Sequence, residues 1–198
     1  MKIGCVLLAA GVSQRFGTIN KLLGDFVGDP IVVRTAQAIQ KAEFCVVVAV
    51  VSDDAVDAVL SECGLRTVRN PRPEDGISGS IKIGLNELCN CDAVMFAVAD
   101  QPLLSSESIK GAVDLYKLHP DNIISLAYDG NRGNPVIFPR CFYSELYALS
   151  GDSGGSAVIK RHTESLLLYD VSDPIELADT DTAKELQNLI DHVNRRQK

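Results

Sequence analysis

The stretch Leu8-Ala9-Ala10-Gly11-Val12-Ser13-Gln14-Arg15-Phe16-Gly17 follows an apolar run at 2–8 and is followed by Lys21. A short apolar run before a glycine predicts a buried strand, so the stretch begins where that strand ends. Ala9, Ala10 and Gly11 carry no bulky side chain that would keep a polyphosphate from the backbone N–H groups. Arg15 offers a planar fork for phosphate oxygens, and Lys21 offers a compact charge. The stretch predicts a triphosphate-binding loop, and an ordinary strand-to-helix turn with solvated basic residues is the alternative.

Strands and helices alternate along the first 120 residues. Apolar runs predict strands at 2–8, 44–51, 65–69 and 93–99, and periodic patterns predict helices from Asp29, at 54–62, at 79–88 and after Ser105. Asp29 is the predicted N-cap of the first helix, with Pro30 at its first position. The pattern predicts one α/β domain over 1–198, Rossmann-like, with a mostly parallel sheet and helices on both faces. Ligands of such sheets bind beyond the carboxyl ends of the strands.

The pattern loosens after residue 122. Asp129-Gly130 is a typical hairpin turn, and Asn134-Pro135 follows it. We expect an acceptor-side subregion at about 128–165, as a small lid or a wall of the site. Thr182 and Glu185 form a capping box that predicts a last helix.

Composition narrows the function classes. The chain has 19 Lys and Arg against 26 Asp and Glu, a net charge of −7. Proteins that bind nucleic acid usually display a basic face, so we expect no such partner. The acidic balance suits a protein that supplies carboxylates to Mg²⁺. No apolar run approaches the roughly 20 residues that span a membrane, and Met1-Lys2-Ile3-Gly4 leads directly into a strand. We expect a cytoplasmic protein without a membrane partner.

Six cysteines are spread along the chain. Cys5, Cys45 and Cys63 lie in or beside apolar runs and are predicted to be reduced core residues. Cys89 and Cys91 form the one tight pair, which without a second pair or a nearby histidine is poor support for a zinc site.

The stretch at 8–21 resembles the Leu-Ala-Ala-Gly-x-Ser-x-Arg-Met/Phe-Gly-x-x-Lys signature of the MobA-like nucleotidyltransferases. Its second alanine, Ala10, resembles the molybdopterin cytidylyltransferase branch, while three residues instead of two separate Gly17 from Lys21. The resemblance implies a fold of the nucleotide-diphospho-sugar transferase type. It also implies Mg²⁺-dependent transfer of CMP from CTP to molybdopterin or molybdenum cofactor, with a molybdoenzyme or a maturation chaperone as a further partner. The implied nucleotide-binding residues in this stretch are Leu8, Ala9, Ala10, Gly11, Ser13, Arg15 and Lys21.

Two later segments carry candidate metal ligands. Asp100 ends the strand predicted at 93–99, and Asp100-Gln101-Pro102 resembles the family's Asp-x-Pro metal motif. The segment 178–182 resembles a late Asp-Ile-Asp-Thr-Pro element, from which Asp179 is the predicted second ligand. Asp181, beside the capping box, is the alternative. Lys21, Arg15 and Asp100 are therefore the predicted catalytic residues.

The same resemblance extends to the base and acceptor sides. Asn70-Pro71 and the segment 76–81 resemble elements around the base and ribose, which makes Asn70, Gly76, Ser78 and Ser80 nucleotide-binding candidates. The segments 133–138 and 151–156 resemble the cytidylyltransferase acceptor side, with candidates Asn134, Pro135, Asp152 and Ser153. Gly155-Ser156 stands where the family pattern has Ala-Arg, so a cation is missing there.

Other functions stay open at this stage. The sequence Gly151-Asp152-Ser153-Gly154-Gly155 also matches the nucleophile segment of trypsin-like proteases, but only His119 among the three histidines precedes Ser153. Alternating strands and helices also differ from the paired β-barrels of those enzymes, and Ser153 is predicted to help start a helix. A non-catalytic nucleotide- or cofactor-binding maturation protein and a transferase with another nucleotide or acceptor are the remaining alternatives.

Overall fold

The structure is a computed structural model that describes residues 1–11 and 20–196. The strands are β1 (Ile3–Ala9), β2 (Asp25–Phe26), β3 (Asp29–Pro30), β4 (Val46–Val51), β5 (Arg66–Arg69), β6 (Ala93–Val98), β7 (Ile123–Tyr128), β8 (Asn131–Pro139) and β9 (Leu166–Asp170). The α-helices are α1 (Ile31–Gln40), α2 (Asp54–Glu62), α3 (Ile77–Glu87), α4 (Ser106–Leu118), α5 (Tyr143–Tyr147), α6 (Ser156–Ile159) and α7 (Ala183–Arg196). None of these described helices is long and apolar enough to cross a lipid bilayer.

Seven strands form one sheet in the order β5-β4-β1-β6-β8-β7-β9. The neighbours from β5 to β6 pair in parallel, and β9 pairs in parallel with β7, whereas β8 is antiparallel to both of its neighbours. The predicted mostly parallel α/β sheet is confirmed. Because β5, β4, β1 and β6 run the same way, their carboxyl ends meet at one edge of the sheet.

Apolar side chains pack on both faces of the sheet, as predicted. One core cluster joins α1, α2 and α4 to side chains of the central strands such as Leu7 and Met95. The other joins α3 and α5 to the opposite side chains, including Val6 and Phe96. Alternate residues of β1 therefore point to opposite cores, as the two-residue period of a strand requires.

Helix α3 lies very close to β1. A Cβ atom on Gly84 would be 2.5 Å from Cγ1 of Val6, so only glycine permits this approach. The close packing brings the start of α3 next to the carboxyl end of β1, where the predicted phosphate loop begins.

Several local predictions are confirmed. Ser105 caps α4 by accepting a hydrogen bond from the Ser108 N–H at 3.0 Å. Thr182 and Glu185 form the capping box at α7, with the Glu185 N–H donating to the Thr182 hydroxyl oxygen at 3.2 Å. Asp129 and Gly130, with φ of 49° and 74°, turn β7 into β8, which matches the hairpin turn type with two left-handed residues.

Other local predictions are wrong. Asp29 does not cap α1, because Asp29 and Pro30 pair with Asp25 and Phe26 in a two-stranded ribbon that keeps Asp29 extended. Ser153 does not start a helix, since α6 begins at Ser156. The hairpin after residue 122 belongs to the sheet, since β8 lies between β6 and β7. The acceptor-side subregion at about 128–165, as a wall of the site, stays a prediction.

The cysteine predictions hold only in part. All six cysteines are free thiols, and Cys5 is buried as predicted, but Cys45 is exposed and Cys63 is half-buried. Cys91 lies beside Cys45, with 3.7 Å between the two Sγ atoms. Burial raises the pKa of the Cys91 thiol to about 12, as expected of an unreactive thiol.

Candidate active site

A cleft of about 640 Å³ opens at the edge where the parallel strands end. Leu8 and the loop residues Ala10 and Gly11 line it from β1, and Val98 to Asp100 line it from β6. The third wall is the start of α3 with the turn before it. The start of the predicted phosphate loop and the predicted metal ligand Asp100 therefore share one cleft, because β1 and β6 are adjacent parallel strands.

Lys21 lies in this cleft between two carboxylates. It begins a 3-10 turn, Lys21–Leu23, that Asn20 caps by accepting a hydrogen bond from the Leu22 N–H at 3.1 Å. The Lys21 Nζ donates to Oδ2 of Asp100 at 2.5 Å and to Oδ1 of Asp181 at 2.7 Å. The Lys21 and Asp100 side chains are 18% and 16% exposed, whereas Asp181 is 54% exposed. The altered spacing before Lys21 thus still brings its ammonium group to the carboxyl edge of the sheet.

The charge state of Lys21 follows from these neighbours. Burial lowers the pKa of Lys21, but the charges and hydrogen bonds of Asp100 and Asp181 act in the opposite direction and leave the pKa above its ordinary value. Lys21 is therefore a fixed cation at neutral pH, which suits charge stabilisation and not proton transfer.

Two buried threonines hold the backbone around Asp100. The Thr180 hydroxyl and the Thr180 N–H both donate to the Asp100 carbonyl oxygen, each at 3.0 Å. The Thr35 hydroxyl lies 3.1 Å from the carbonyl oxygen of Gln101 and 3.3 Å from that of Ala99. Both threonines are fully buried. Thr180 joins the two segments that carry the acidic residues, and sequence reasoning missed this role although Thr180 lies between Asp179 and Asp181.

We expect Thr180→Val to weaken metal-dependent activity more than it weakens the fold. The variant keeps the N–H bond to Asp100 but loses the hydroxyl bond, which costs about 1 kcal/mol of unfolding free energy. The looser junction raises the metal concentration needed for half-maximal activity. Thr180→Ser, which keeps the hydroxyl, is the matched control and retains the wild-type metal requirement. Metal titrations of activity and urea unfolding measure both effects, and equal metal requirements for the two variants would contradict this role.

Asp179 has different neighbours from Asp181. Its Oδ1 accepts a hydrogen bond from Nε2 of Gln101 at 3.0 Å, and the same Nε2 lies 3.1 Å from the Leu177 carbonyl oxygen. Although Asp179 is exposed as a residue, partial burial of its carboxyl, followed by the charge of Asp100, raises its pKa to about 6. Gln101 is 2% exposed, and its Oε1 has no partner among the described residues. Asp181 contacts the Lys21 ammonium, whereas Asp179 is held by Gln101.

The four candidates for binding the nucleotide base and ribose line two neighbouring cavities, which the start of α3 separates. Gly76 and Ser80 line the cleft, while Asn70 and Ser78 line a neighbouring depression. Asn70 connects the two sides, because its Nδ2 donates to the Ser80 hydroxyl oxygen at 3.0 Å. Gly76, with φ of 84° and ψ of −177°, has a conformation essentially reserved for glycine, and a Cβ there would be 2.4 Å from the Gly151 carbonyl carbon.

We expect Gly76→Ala to lower the free energy of unfolding by at least about 2 kcal/mol, because the backbone conformation and the contact with Gly151 both oppose a Cβ atom. Gly79→Ala is the control. Its Cβ would meet no atom closer than 3.7 Å, so this helical glycine accepts alanine at no cost or with a small gain. Urea unfolding of both variants checks the difference, and equal stability would contradict the assigned contact.

The remaining sequence candidates divide into three groups. Leu8, Ala10 and Gly11 line the cleft, whereas the Ala9 side chain is 1% exposed and packs in the core. Ser13 and Arg15 lie outside the described residues. Of the acceptor candidates, Asp152 lines the cleft, while Ser153 follows it outside the lining and Asn134 and Pro135 lie within β8. Glu74 and Ile77, which sequence reasoning did not select, also line the cleft.

A cation on strand β8 lies beside Ser156, the first residue of α6. The guanidinium of Arg132, on β8, donates to the Ser156 hydroxyl oxygen at 3.2 Å. The position at which the family pattern carries arginine therefore has a guanidinium next to it in space. The link is invisible in the sequence because the two residues belong to different elements.

The protease alternative does not fit this architecture. The seven-stranded α/β sheet is not a pair of β-barrels. Among the described residues, Ser153 has no hydrogen bond to a histidine; its N–H bonds to the Ser150 carbonyl oxygen, and His162 pairs with Glu145. A serine protease triad is therefore excluded for the described histidines.

The residues present fit a divalent cation. Asp100 and Asp181 offer hard carboxylate oxygens and already hold one cation, the Lys21 ammonium, between them. Within 1–11 and 20–196, no group of three or more His, Cys, Asp or Glu side chains could hold a metal ion. Such a pair suits Mg²⁺, which commonly takes one or two carboxylates and fills its other positions with phosphate oxygens and water.

Comparison with known families agrees with this arrangement. Residues 5–166 match the family described as MobA-like NTP transferase domain. The chain belongs to the MobA-like NTP transferase family. The match includes most of β1, the residues that line the cleft, Lys21 and Asp100, and it ends before Asp179 and Asp181.

Individual relatives of this MobA-like chain are distant. A 2-C-methyl-D-erythritol 4-phosphate cytidylyltransferase from Dehalococcoides mccartyi is 27% identical over 59% of this chain and 54% of its own length, so the chain spans about half of that relative. A nucleotidyl transferase from Methanothermobacter has a TM-score of 0.85 at 21% identity, with 98% of this chain and 99% of the other covered. The molybdopterin-guanine dinucleotide biosynthesis protein A of Archaeoglobus fulgidus has a TM-score of 0.76 at 14% identity, covering 97% and 99%. The two solved structures establish the fold alone.

Proposed function

We propose that this MobA-like protein is a divalent-metal-dependent nucleotidyltransferase that transfers CMP from CTP to the phosphate of molybdopterin or molybdenum cofactor and releases pyrophosphate. The observation that carries the proposal is the Lys21 ammonium held by Asp100 in the cleft where the phosphate loop begins. A cation and a carboxylate at one point are the pair that a triphosphate with its metal ion needs.

The chemistry asks for no side-chain nucleophile. An oxygen of the acceptor phosphate attacks the α-phosphorus of CTP, a new P–O–P bond forms, and the bond to the β-phosphate breaks with release of pyrophosphate. Catalysis then depends on positioning and on charge stabilisation. Lys21, a permanent cation in this cleft, stabilises the charge on the reacting α-phosphate. Arg15 and the backbone of residues 9–11 hold the β- and γ-phosphates.

Asp100 and one of Asp179 and Asp181 would hold Mg²⁺. The contact of Asp181 with Lys21, and the hold of Gln101 on Asp179, favour Asp181 as the second ligand. When bound, the ion neutralises phosphate charge and polarises the phosphorus centre.

The choice of CTP and of molybdopterin or molybdenum cofactor rests on a sequence pattern, on the names of similar proteins and on one contact. Ala10 in the loop follows the cytidylyltransferase pattern, and the curated relative is named a cytidylyltransferase. A structural neighbour is named for molybdopterin-guanine dinucleotide biosynthesis. Arg132, whose guanidinium donates to the Ser156 hydroxyl oxygen, is the cation that we propose for an anionic acceptor. A cytoplasmic location with a molybdoenzyme or maturation chaperone as partner belongs to the same proposal.

The experiment is a pyrophosphate-release assay with each of the four ribonucleoside triphosphates, with and without molybdenum cofactor, in the presence of Mg²⁺. We expect release with CTP only when the cofactor is present, together with a CMP-bearing product. Pyrophosphate release with a different nucleotide or acceptor would reject CTP or molybdenum cofactor as the substrate. It would still support a nucleotidyltransferase activity. Binding of CTP without any release would identify a non-catalytic binding protein instead.

A further inference from the structure

Two cysteines meet at the edge of the sheet that lies opposite the active-site cleft. Cys45 lies directly before β4, and Cys91 lies two residues before β6. Their Sγ atoms are 3.7 Å apart, although the residues are 46 positions apart in the chain. Because the carboxyl ends of these parallel strands form the edge with the cleft, the two thiols lie at the amino ends. The proposed transferase activity makes no use of them.

Gly4 leaves room for this contact. It belongs to β1, which lies between β4 and β6 in the sheet. A Cβ atom on Gly4 would be 3.1 Å from the Cys91 Sγ and 2.9 Å from Cδ1 of Leu88. The Cys91 thiol therefore packs over the bare backbone of β1 while it contacts Cys45, and a side chain at Gly4 would displace it.

The two thiols differ in their access to solvent. Cys45 is exposed, whereas Cys91 is 4% exposed. Burial, followed by the hydrogen bond with Cys45, raises the pKa of the Cys91 thiol to about 12, so Cys91 is protonated at neutral pH. A small reagent in solution therefore reaches Cys45 first. The pair consists of an accessible thiol and a protected thiol in contact with it.

The backbone on both sides of the pair is held by hydrogen bonds. The Cys91 carbonyl oxygen accepts from Nε of Arg140 at 3.0 Å and from the Tyr143 hydroxyl at 3.3 Å. The Cys45 N–H donates to the Ile3 carbonyl oxygen at 2.9 Å. A second thiol held beside the first has a high effective concentration, which compensates for the small fraction of Cys91 that is ionised. The bonded sulfur atoms of a disulfide are about 2.0 Å apart, so the two side chains have a short distance to close.

We propose that Cys45 and Cys91 form a thiol–disulfide exchange site that reacts with a low-molecular-weight disulfide. The Cys45 thiolate attacks one sulfur of the reagent, a mixed disulfide forms, and the other half of the reagent leaves as a thiolate. The Cys91 sulfur then attacks the Cys45 sulfur and displaces the second half. Each released thiolate takes up the proton that the attacking protein thiol loses. The protein is oxidised by two electrons, and the reagent leaves as two thiols. The proposal does not depend on the transferase function.

The test is incubation of the folded protein with glutathione disulfide, followed by alkylation, trypsin digestion and mass spectrometry. We expect an intact mass lower by two hydrogen atoms and four of the six thiols still open to alkylation after denaturation. The tryptic peptides 42–66 and 83–110 are expected to be joined, and dithiothreitol separates them. A glutathione adduct on Cys45 that never closes, or no reaction at Cys45, would overturn the proposal.

Two control variants identify the cysteines within the joined peptides. Peptide 42–66 also contains Cys63, and peptide 83–110 also contains Cys89. Cys63→Ser and Cys89→Ser are therefore expected to form the same cross-link at the wild-type rate. Loss of the cross-link in either variant would assign it to a different pair and would overturn the proposal.

The order of the two steps has its own test. Cys45→Ser is expected to form neither an adduct nor a cross-link, whereas Cys91→Ala is expected to keep a stable glutathione adduct on Cys45. An adduct that forms first on Cys91 in Cys45→Ser would overturn the proposal. Cys45 is exposed, so Cys45→Ser and the wild-type mapping stay informative even if Cys91→Ala does not fold.

Gly4→Ala tests the geometry with both thiols present. Its Cβ displaces the Cys91 thiol, so we expect the cross-link to close more slowly by on the order of tenfold or more, while the adduct on Cys45 forms at the wild-type rate. Gly79→Ala, whose Cβ would meet no atom closer than 3.7 Å, is the matched control and closes at the wild-type rate. Urea unfolding verifies that both variants are folded. Equal closing rates of the two folded variants would overturn the assigned contact.

Discussion

Lys21→Ala is expected to lower the turnover number by on the order of a thousandfold, with a change in nucleotide affinity of less than about tenfold. The ammonium is a fixed cation at the carboxyl edge of the sheet. In the proposed reaction, charge builds up on the α-phosphate at this point. An interaction that strengthens in the transition state affects turnover more than binding. Steady-state pyrophosphate release and CTP titration measure the two quantities.

Controls for this variant follow from the contacts of Lys21. Its removal leaves Asp100 and Asp181 without their shared ammonium, so the folded state must be verified by thermal unfolding before rates are compared. Lys21→Arg keeps the charge but changes its shape and is expected to recover only part of the rate. Lys110→Ala tests the loss of an unrelated surface lysine and keeps the full rate. Near-normal turnover of Lys21→Ala would refute the assigned role.

Asp100→Asn is expected to reduce metal-dependent turnover by on the order of a hundredfold or more and to weaken metal binding in parallel. The amide nearly matches the carboxylate in shape, and the bonds that Thr180 makes to the Asp100 backbone are unaffected by the change. The fold therefore stays intact while a hard anionic ligand is lost. Activity against Mg²⁺ concentration and direct Mn²⁺ binding measure the effect, and chelation of the metal abolishes wild-type turnover.

The same assays distinguish the second carboxylate. Asp181→Asn is expected to raise the metal requirement, and Asp179→Asn is expected to have the smaller effect, because Asp179 is held by Gln101. The reverse order would restore Asp179 as the ligand. Full Mg²⁺-dependent activity of Asp100→Asn would reject the metal site as a whole.

The sequence predicted those features that depend on local pattern. The parallel half of the sheet, the caps at Ser105 and Thr182 and the turn at Asp129 all follow from periodicity or from residues a few positions apart. Asp100 could be assigned to the cleft because the carboxyl ends of β1 and β6 meet once the sheet is parallel.

The features that sequence reasoning missed join distant positions. Asp29 is a good cap by residue type, but its pairing with Phe26 decides its conformation. Thr180 makes two hydrogen bonds to the Asp100 carbonyl oxygen, and these join residues 80 positions apart. No local sequence pattern encodes them. The contact of Gly76 with Gly151 is likewise a tertiary contact, which explains its absence from any prediction based on spacing.

The position of β8 has a consequence for synthesis of the chain. β6 is apolar and hydrogen-bonds to β1 on one side and to β8 on the other, while β8 is made only after α4 and β7. In a nascent chain that has not reached residue 131, the backbone N–H and C=O groups of β6 that would pair with β8 are therefore unpaired, and β6 is an exposed apolar edge strand. Fragments that stop before this point are expected to aggregate in cells, whereas a chain that includes β8 covers the edge with its own backbone.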